Sequence, residues 1–177
     1  MFPTALTSAR LLLRPVVMDD APAIFDGYAQ DPEVSRYLLW RPHTRLEDTQ
    51  AYLSACVAAT DFRTYAIVDR TRGTLIGAFD LRRQAPWRMG FGYVLARSAW
   101  GRGLMTEALT EVVGWALAQP GIWRIGDLVD TGNIASARVM EKVGLQREGL
   151  LRRFGVHPNV SDEPRDCYIY GKVRSAA

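Results

Sequence analysis

The chain has 177 residues, 48% of them hydrophobic and 23% charged, with a formal net charge of +3. At this length one core can bury roughly 70% of the unfolded surface, so residues 1–177 are expected to form one domain, and the ordinary composition excludes a disordered or low-complexity chain. So small a charge, with no Lys/Arg run, speaks against a nucleic-acid partner, and no stretch approaches the roughly 18 unbroken apolar residues of a membrane span.

The first residues lack a basic segment followed by an apolar core, so the cytoplasm is the expected compartment. Residues 10–17 (RLLLRPVV) are rich in strand formers and read as an opening strand, with Pro15 pointing to a sheet edge. Asp19 or Asp20 can cap a helix that has Pro22 in its first turn and Ile24, Phe25 and Tyr28 on its apolar face. Thr44-Arg45-Leu46-Glu47 is a capping-box pattern opening a second helix through Ala58. Between these helices, residues 37–43 gather aromatics, Trp40 and His43 among them, in a non-repetitive connection that fits a pocket wall and equally fits loop packing.

Strand-like runs at 64–69, 75–82 and 89–95 read as an antiparallel meander. A long helix over 102–118, a strand over 123–129 and a helix over 134–143 ended by Gly144 come next. Two closing strands, 148–156 and 166–173, flank a long loop at 157–165 marked by two prolines. The order predicts an α+β (mixed α/β) fold of about seven strands and about four helices. Cys56 and Cys167 sit among apolar residues outside any CxxC, as buried thiols do.

Chemistry is concentrated in residues 92–108, GYVLARSAWGRGLMTEA, where a strand runs through a Gly-x-Gly turn directly into a helix. Unbonded N–H groups at that helix start, with the helix dipole, form a site for phosphate. Gly101 and Gly103 let the backbone approach closely, and Arg102 can add a charge-assisted contact. The turn is no P-loop, lacking Gly-Lys-Ser/Thr, and it departs from a dinucleotide fingerprint at Thr106. Residues 133–145, NIASARVMEKVGL, open with Asn133 as a helix cap and Ser136 one turn on, which alone reads as capping plus a solvated face.

Together and in this order, the pieces RLLLRP, DPEVSRYLLW, IGAFDLR, GYVLARSAWGRGLMTEAL, NIASARVMEKVGLQREG and RDCYIYGKV resemble the GNAT superfamily of N-acetyltransferases, specifically its RimJ/RimL-like branch, along nearly the whole chain. The resemblance implies a strongly twisted mixed sheet whose fourth and fifth strands splay apart around the pantetheine arm of acetyl-CoA. It implies backbone contacts from Val94 and Leu95 to that arm, and a pyrophosphate cradle from Trp100, Gly101, Arg102, Gly103, Leu104, Met105 and Thr106. Asn133 would bond the arm, and Ser136 would protonate the departing thiolate. A backbone N–H near Val94 would steady the oxyanion. Arg138 and Lys142 would face phosphate, although a solvated face fits both equally. Trp40, His43 and Tyr93 fall on the acceptor side, with the rest of its wall at 37–43 and 159–166, and no metal is implied.

Three positions depart from the family pattern. Ser98 stands where many relatives carry Arg or Gln, and Gly90 and Gly155 stand where a base is otherwise found, so no carboxylate inherits that role. Asp80, Glu33, His43 and His157 are the remaining proton acceptors, each with a structural explanation: strand-end solvation for Asp80, helix polarity for Glu33, loop packing for the histidines. A terminal α-amine is roughly one-seventh neutral at pH 7, a lysine amine only about one part in 2,500. That contrast favours a terminal amine as acceptor. The same motifs serve a small-molecule amine acetyltransferase or a CoA-binding module without catalysis, and exposed sheet edges in such folds often pair, leaving a homodimer open.

Overall fold

The computed structural model describes residues 2–175. A two-residue strand, β1 (Leu6–Thr7), precedes the opening strand, β2 (Leu11–Pro15), and pairs with it antiparallel. It is too short to leave a periodic signal, and it makes the sheet one strand larger than expected. β1 reaches only Leu12 and Leu13 of β2. The Val16 N–H donates to Thr64 at 3.1 Å, so Pro15 turns its missing donor toward an uncovered flank.

Helix α1 (Ala21–Ile24) continues through a π-turn at Phe25–Ala29 toward α2 (Pro32–Ser35), and α3 (Leu46–Ala58) follows. Asp20 does not cap α1. Its carboxylate turns back to the Val17 N–H at 2.9 Å and to Arg14 at 2.6 and 2.8 Å. Glu47 likewise is not the capping acid. α3 starts two residues after Thr44, so Asp48 reaches back instead, accepting the Thr44 N–H and hydroxyl at 3.0 Å each.

The meander is β3 (Phe62–Asp69), β4 (Thr74–Ala85) and β5 (Arg88–Leu95). Then come α4 (Leu104–Ala118), β6 (Arg124–Asp130), α5 (Ile134–Lys142), β7 (Gln146–His157) and β8 (Ser161–Val173). The loop expected at 157–165 is mostly strand. Before Cys167, β8 has not yet met β6 and pairs only with β7, so Pro164 costs no ladder bond to β6.

All eight strands form one mixed sheet in the order β1-β2-β3-β4-β5-β6-β8-β7. α4 buries Leu104, Met105, Ala108, Leu109, Val112, Val113 and Ala116, a helical stripe that packs with Phe79, Phe91 and Ile125 on one face. On the other face Ile24, Tyr28 and Leu53 cover Ala66 and Ala78. Gly126 of β6 lies against β8, where an added Cβ would stand 2.2 Å from the Tyr170 carbonyl oxygen and 2.9 Å from the Gly171 Cα. Backbone cannot yield as a side chain does, so Gly126→Ala is expected to lower stability by about 2 kcal/mol in urea titrations.

One pairing shapes everything that follows. β5 and β6 run parallel and pair only at Arg88↔Arg124 and Met89↔Ile125. Past those residues the sheet opens at its centre. These are the splayed fourth and fifth strands of the sequence reading, renumbered by the added β1.

Candidate active site

Side chains replace the ladder just inside the opening. Asp127 on β6 accepts the Phe91 N–H at 2.8 Å, while Arg82 on β4 donates to the Phe91 carbonyl at 2.5 Å and to Asp127 at 2.7 Å. In an antiparallel ladder, alternate residues turn their backbone groups to opposite sides. Phe91, Tyr93 and Leu95 therefore face the cleft, while Gly92 and Val94 face β4. The Leu95 carbonyl accepts the Trp100 indole N–H at 2.7 Å. Both backbone groups of Tyr93 and the N–H of Leu95 are thus presented to the cleft. The donor expected near Val94 moves by one residue, and only the amide of Leu95, not its carbonyl, is left for a ligand.

The turn after β5 has the predicted backbone. Gly101 and Gly103 adopt φ of 72° and 73°, the left-handed region that favours glycine. Gly103 is the N-cap of α4, and the first helical bond runs from the Glu107 N–H to the Gly103 carbonyl at 3.1 Å. The amides of Leu104, Met105 and Thr106 precede it and have no helical acceptor. Among the described residues, and apart from its chain neighbours, nothing lies within 4 Å of a Cβ placed on Gly101, and only the Arg10 guanidinium, at 3.8 Å, approaches one on Gly103. The turn is open. Arg102 leans toward Asp69 at 3.5 Å. Glu107, in the first turn of α4, would repel an anion, but Ser8 and Arg10 both bond its carboxylate at 2.6 Å. Some 97 residues separate Arg10 from Glu107, and no local pattern connects them.

Across the cleft, the Asn133 side chain accepts the Ser136 N–H at 3.2 Å and caps α5. The Ser136 hydroxyl meets the Tyr93 hydroxyl at 2.7 Å, a bridge from α5 to β5. Burial pushes the Tyr93 phenol up to about 12, against the pull of its Ser136 bond, so it stays protonated at neutral pH. Arg138 and Lys142 lie exposed on the outer side of α5.

The cleft opens into a cavity of about 620 Å³ whose lining includes Trp40, Tyr52, Asp80, Arg82, Tyr93 and His157. Trp40 and Tyr93, both expected on the acceptor side, line this one cavity. His43 does not reach the lining: it packs behind Trp40 with ring centroids 4.9 Å apart, bonds Thr49 at 2.7 Å, and burial lowers its pKa. Glu33 is exposed on α2, away from the cavity. Asp80 is no strand-end residue. It lies within β4, accepts the Thr64 hydroxyl at 2.7 Å, and burial raises its pKa despite that bond and nearby Arg82. Asp127 was missed altogether, because a carboxylate on a strand reads as an outward-facing one. With the Gln84 amide it takes up the space beside Gly90, where an added Cβ would stand 2.2 Å from the Gln84 Nε2 and 3.0 Å from the Asp127 Oδ2.

Residues 36–43 are fastened over this cavity. Asn159 donates to the carbonyls of Ser35 and Trp40, both at 2.7 Å, and the Tyr37 hydroxyl donates to the Gly132 carbonyl at 3.0 Å. His157 bonds the Tyr37 carbonyl at 3.1 Å and stands 3.7 Å from Asp130. Burial would push the Asp130 carboxyl up, but the Arg165 fork at 2.6 and 3.1 Å and the Gly132 N–H hold it low. Its stabilising contribution is therefore full above the ordinary carboxylate range and lost as pH falls through its depressed value. Asp130→Ala is expected to cost about 3 kcal/mol at neutral pH, with less loss at acid pH, as read from denaturant midpoints.

Residues 10–146 match the family model of the acetyltransferase (GNAT) domain. The chain is 32% identical to YoaA, an uncharacterized N-acetyltransferase of Bacillus subtilis (strain 168), over 98% of each protein. Among solved structures, RimL, a ribosomal L7/L12 alpha-N-protein acetyltransferase in complex with coenzyme A, shares the fold with a TM-score of 0.84 at 19% identity, covering 96% of this chain and 97% of its own. The microcin C7 self-immunity acetyltransferase MccE, in complex with acetyl-CoA and AMP, does so with a TM-score of 0.85 at 18% identity over 97% of each chain. With a family model spanning most of its length and a relative alike from end to end, this protein belongs to the GNAT family of N-acetyltransferases.

Proposed function

We propose that the protein transfers the acetyl group of acetyl-CoA to a primary amine by direct attack in a ternary complex, a peptide α-amine being one acceptor class. The observation that carries this reading is the parting of β5 and β6 around one cavity, with an open helix start following β5 in the chain. The residues present fit acetyl-CoA: unbonded amides for its phosphates, and a strand edge for its pantetheine amides. RimL and MccE, described with CoA and acetyl-CoA, share the fold.

Bound acetyl-CoA supplies a thioester, whose carbonyl carbon bonds the amine nitrogen as its bond to sulfur breaks. The amides of Leu104, Met105 and Thr106, with Arg102, hold the phosphates. The Tyr93 backbone and the Asn133 amide align the arm, and the indole of Trp100 fixes the end of β5. Alignment of the two reactants is worth roughly 7 to 11 kcal/mol of barrier. The N–H of Tyr93 or Leu95 donates to the carbonyl oxygen as negative charge builds there. Asp80, on the α1 and α3 side of the sheet, takes the proton released by the amine. Ser136, on the opposite side, gives a proton to the departing sulfur and is resupplied by the Tyr93 hydroxyl, which regains its proton from solvent as Asp80 releases the one it took.

Tyr93→Phe keeps the ring and removes that hydroxyl. It is expected to lower kcat about 10- to 100-fold while CoA affinity by calorimetry changes little; an unaltered kcat would remove the relay. Thiol release from acetyl-CoA, screened over peptides and amines, tests the whole reading, and tight CoA binding without turnover on any acceptor would leave a CoA-binding module. A small-molecule acceptor is the second reading, favoured by the Asn159 clamp that walls the cavity. A cytoplasmic reaction is part of the proposal, and two free buried thiols, Cys56 and Cys167, suit a reducing compartment.

A further inference from the structure

Among the charged groups of the acceptor cavity, Asp80 and Arg82 stand side by side, and the reaction scheme uses only Asp80. Asp80 and Arg82 are alternate residues of β4, so their side chains leave the sheet on the same face, about 6.5 Å apart along the strand. Both line the cavity. Their partners across β5 are Gly92 and Gly90, which place no side chain over either. An added Cβ on Gly92 would lie 3.5 Å from one terminal nitrogen of Arg82 and 3.7 Å from the other, so the guanidinium sits directly above that bare strand.

Arg82 is fixed in place but not used up. One terminal nitrogen donates to the Phe91 carbonyl and to Asp127. Among the described residues, no protein acceptor is recorded for its other terminal nitrogen or for Nε. A guanidinium held by one corner presents its remaining N–H groups as a planar fork, the geometry that reads carboxylate or phosphate. Asp80 differs from the other cavity carboxylates, Asp127 and Asp130, in having no arginine bonded to it: its bond is to Thr64.

We infer that the acceptor is an amine bearing an anionic group, the amine directed to Asp80 and the anion read by the free edge of Arg82. The spacing suits an ω-amino acid, and equally a peptide α-amine followed by an acidic side chain. Trp40 and Tyr52 supply the apolar wall between the ends. This inference rests on the transferase reading and narrows it to a substrate class. Arg82 acts here in binding, and Asp80 in the chemistry.

The test compares matched acceptors with acetyl-CoA and purified full-length protein: 4-aminobutyrate against butylamine and 1,4-diaminobutane, and peptides differing only by Glu or Gln at the second residue. The carboxylated member of a pair is expected to have the higher kcat/KM, and the pair that shows it identifies the source of the anion. Arg82→Gln should then lower the ratio of kcat/KM values, carboxylated over plain, about tenfold or more. Because Arg82→Gln leaves Asp127 without its cation, the double variant Arg82→Gln with Asp127→Asn, which keeps an acceptor for the Phe91 N–H, is measured beside it. Preference for butylamine or the diamine, or a ratio unmoved in both variants, overturns the inference while turnover keeps the transferase reading standing. CoA binding without turnover on any amine overturns both.

Discussion

Replacing Asp80 by asparagine is expected to lower kcat/KM about 10²- to 10⁴-fold and, in the same protein, to raise the melting temperature at neutral pH. The two effects have one cause. Burial disfavours the Asp80 carboxylate, so its folded pKa lies above the ordinary value. For an acid raised on folding, the native state binds more protons than the unfolded one between the two values. Its contribution to stability is full below the unfolded pKa and is lost as pH rises through the folded pKa. At neutral pH the charged form is a liability to the fold, and asparagine removes it while still accepting the Thr64 hydroxyl. As a base, though, only the charged form serves. The rate of the parent should rise with pH through the raised value of Asp80, and the variant should lack that limb. Initial rates from pH 5 to 9 and melting curves on both proteins decide it. Unchanged kcat/KM would take Asp80 out of the chemistry, and an unmoved melting temperature would contradict the burial argument.

The second large effect concerns the turn. Gly103→Val is expected to weaken CoA binding about 100-fold, because a β-branched residue does not adopt φ of 73°. The chain must turn differently, and the three amides that precede the first helical bond lose their common direction. Gly114→Ala is the matched control: it lies in α4 with nothing within 4 Å of an added Cβ. That variant should bind CoA as the parent does and gain about 0.5 to 1 kcal/mol of stability. Calorimetric titration with CoA gives both affinities, and equal values for the two variants would mean that the turn does not hold the carrier.

How much of this was legible depends on how far apart the cooperating residues lie in the chain. The open turn before α4 could be read directly, since its shape belongs to a few consecutive backbone units and two glycines at fixed spacing. Asn133 as the α5 cap was readable for the same reason. Asp80 could have been recognised as unusual, being a charge inside the otherwise apolar run 75–81, but a strand two residues shorter would have put it at an end. The Arg82–Asp127 pair had no such signal: it forms across the gap between β4 and β6, and only the register brings it together. The same holds for Asp130 with Arg165, and for Asn159 clamping a loop 119 residues earlier in the chain. His43 misled because aromatic loops are amphiphilic on both sides. Trp40 faces the cavity and His43 backs it, a distinction of one side-chain direction.

Two β-strands that begin as neighbours and then separate leave hydrogen-bonding edges in the interior of a sheet, where a continuous sheet would have none. An amide-bearing molecule lying between them would act as a short surrogate strand, completing rungs that the polypeptide omits. Saturation with CoA should therefore raise the melting temperature in proportion to the logarithm of its concentration. It should also suppress the self-association to which unpaired edges are prone.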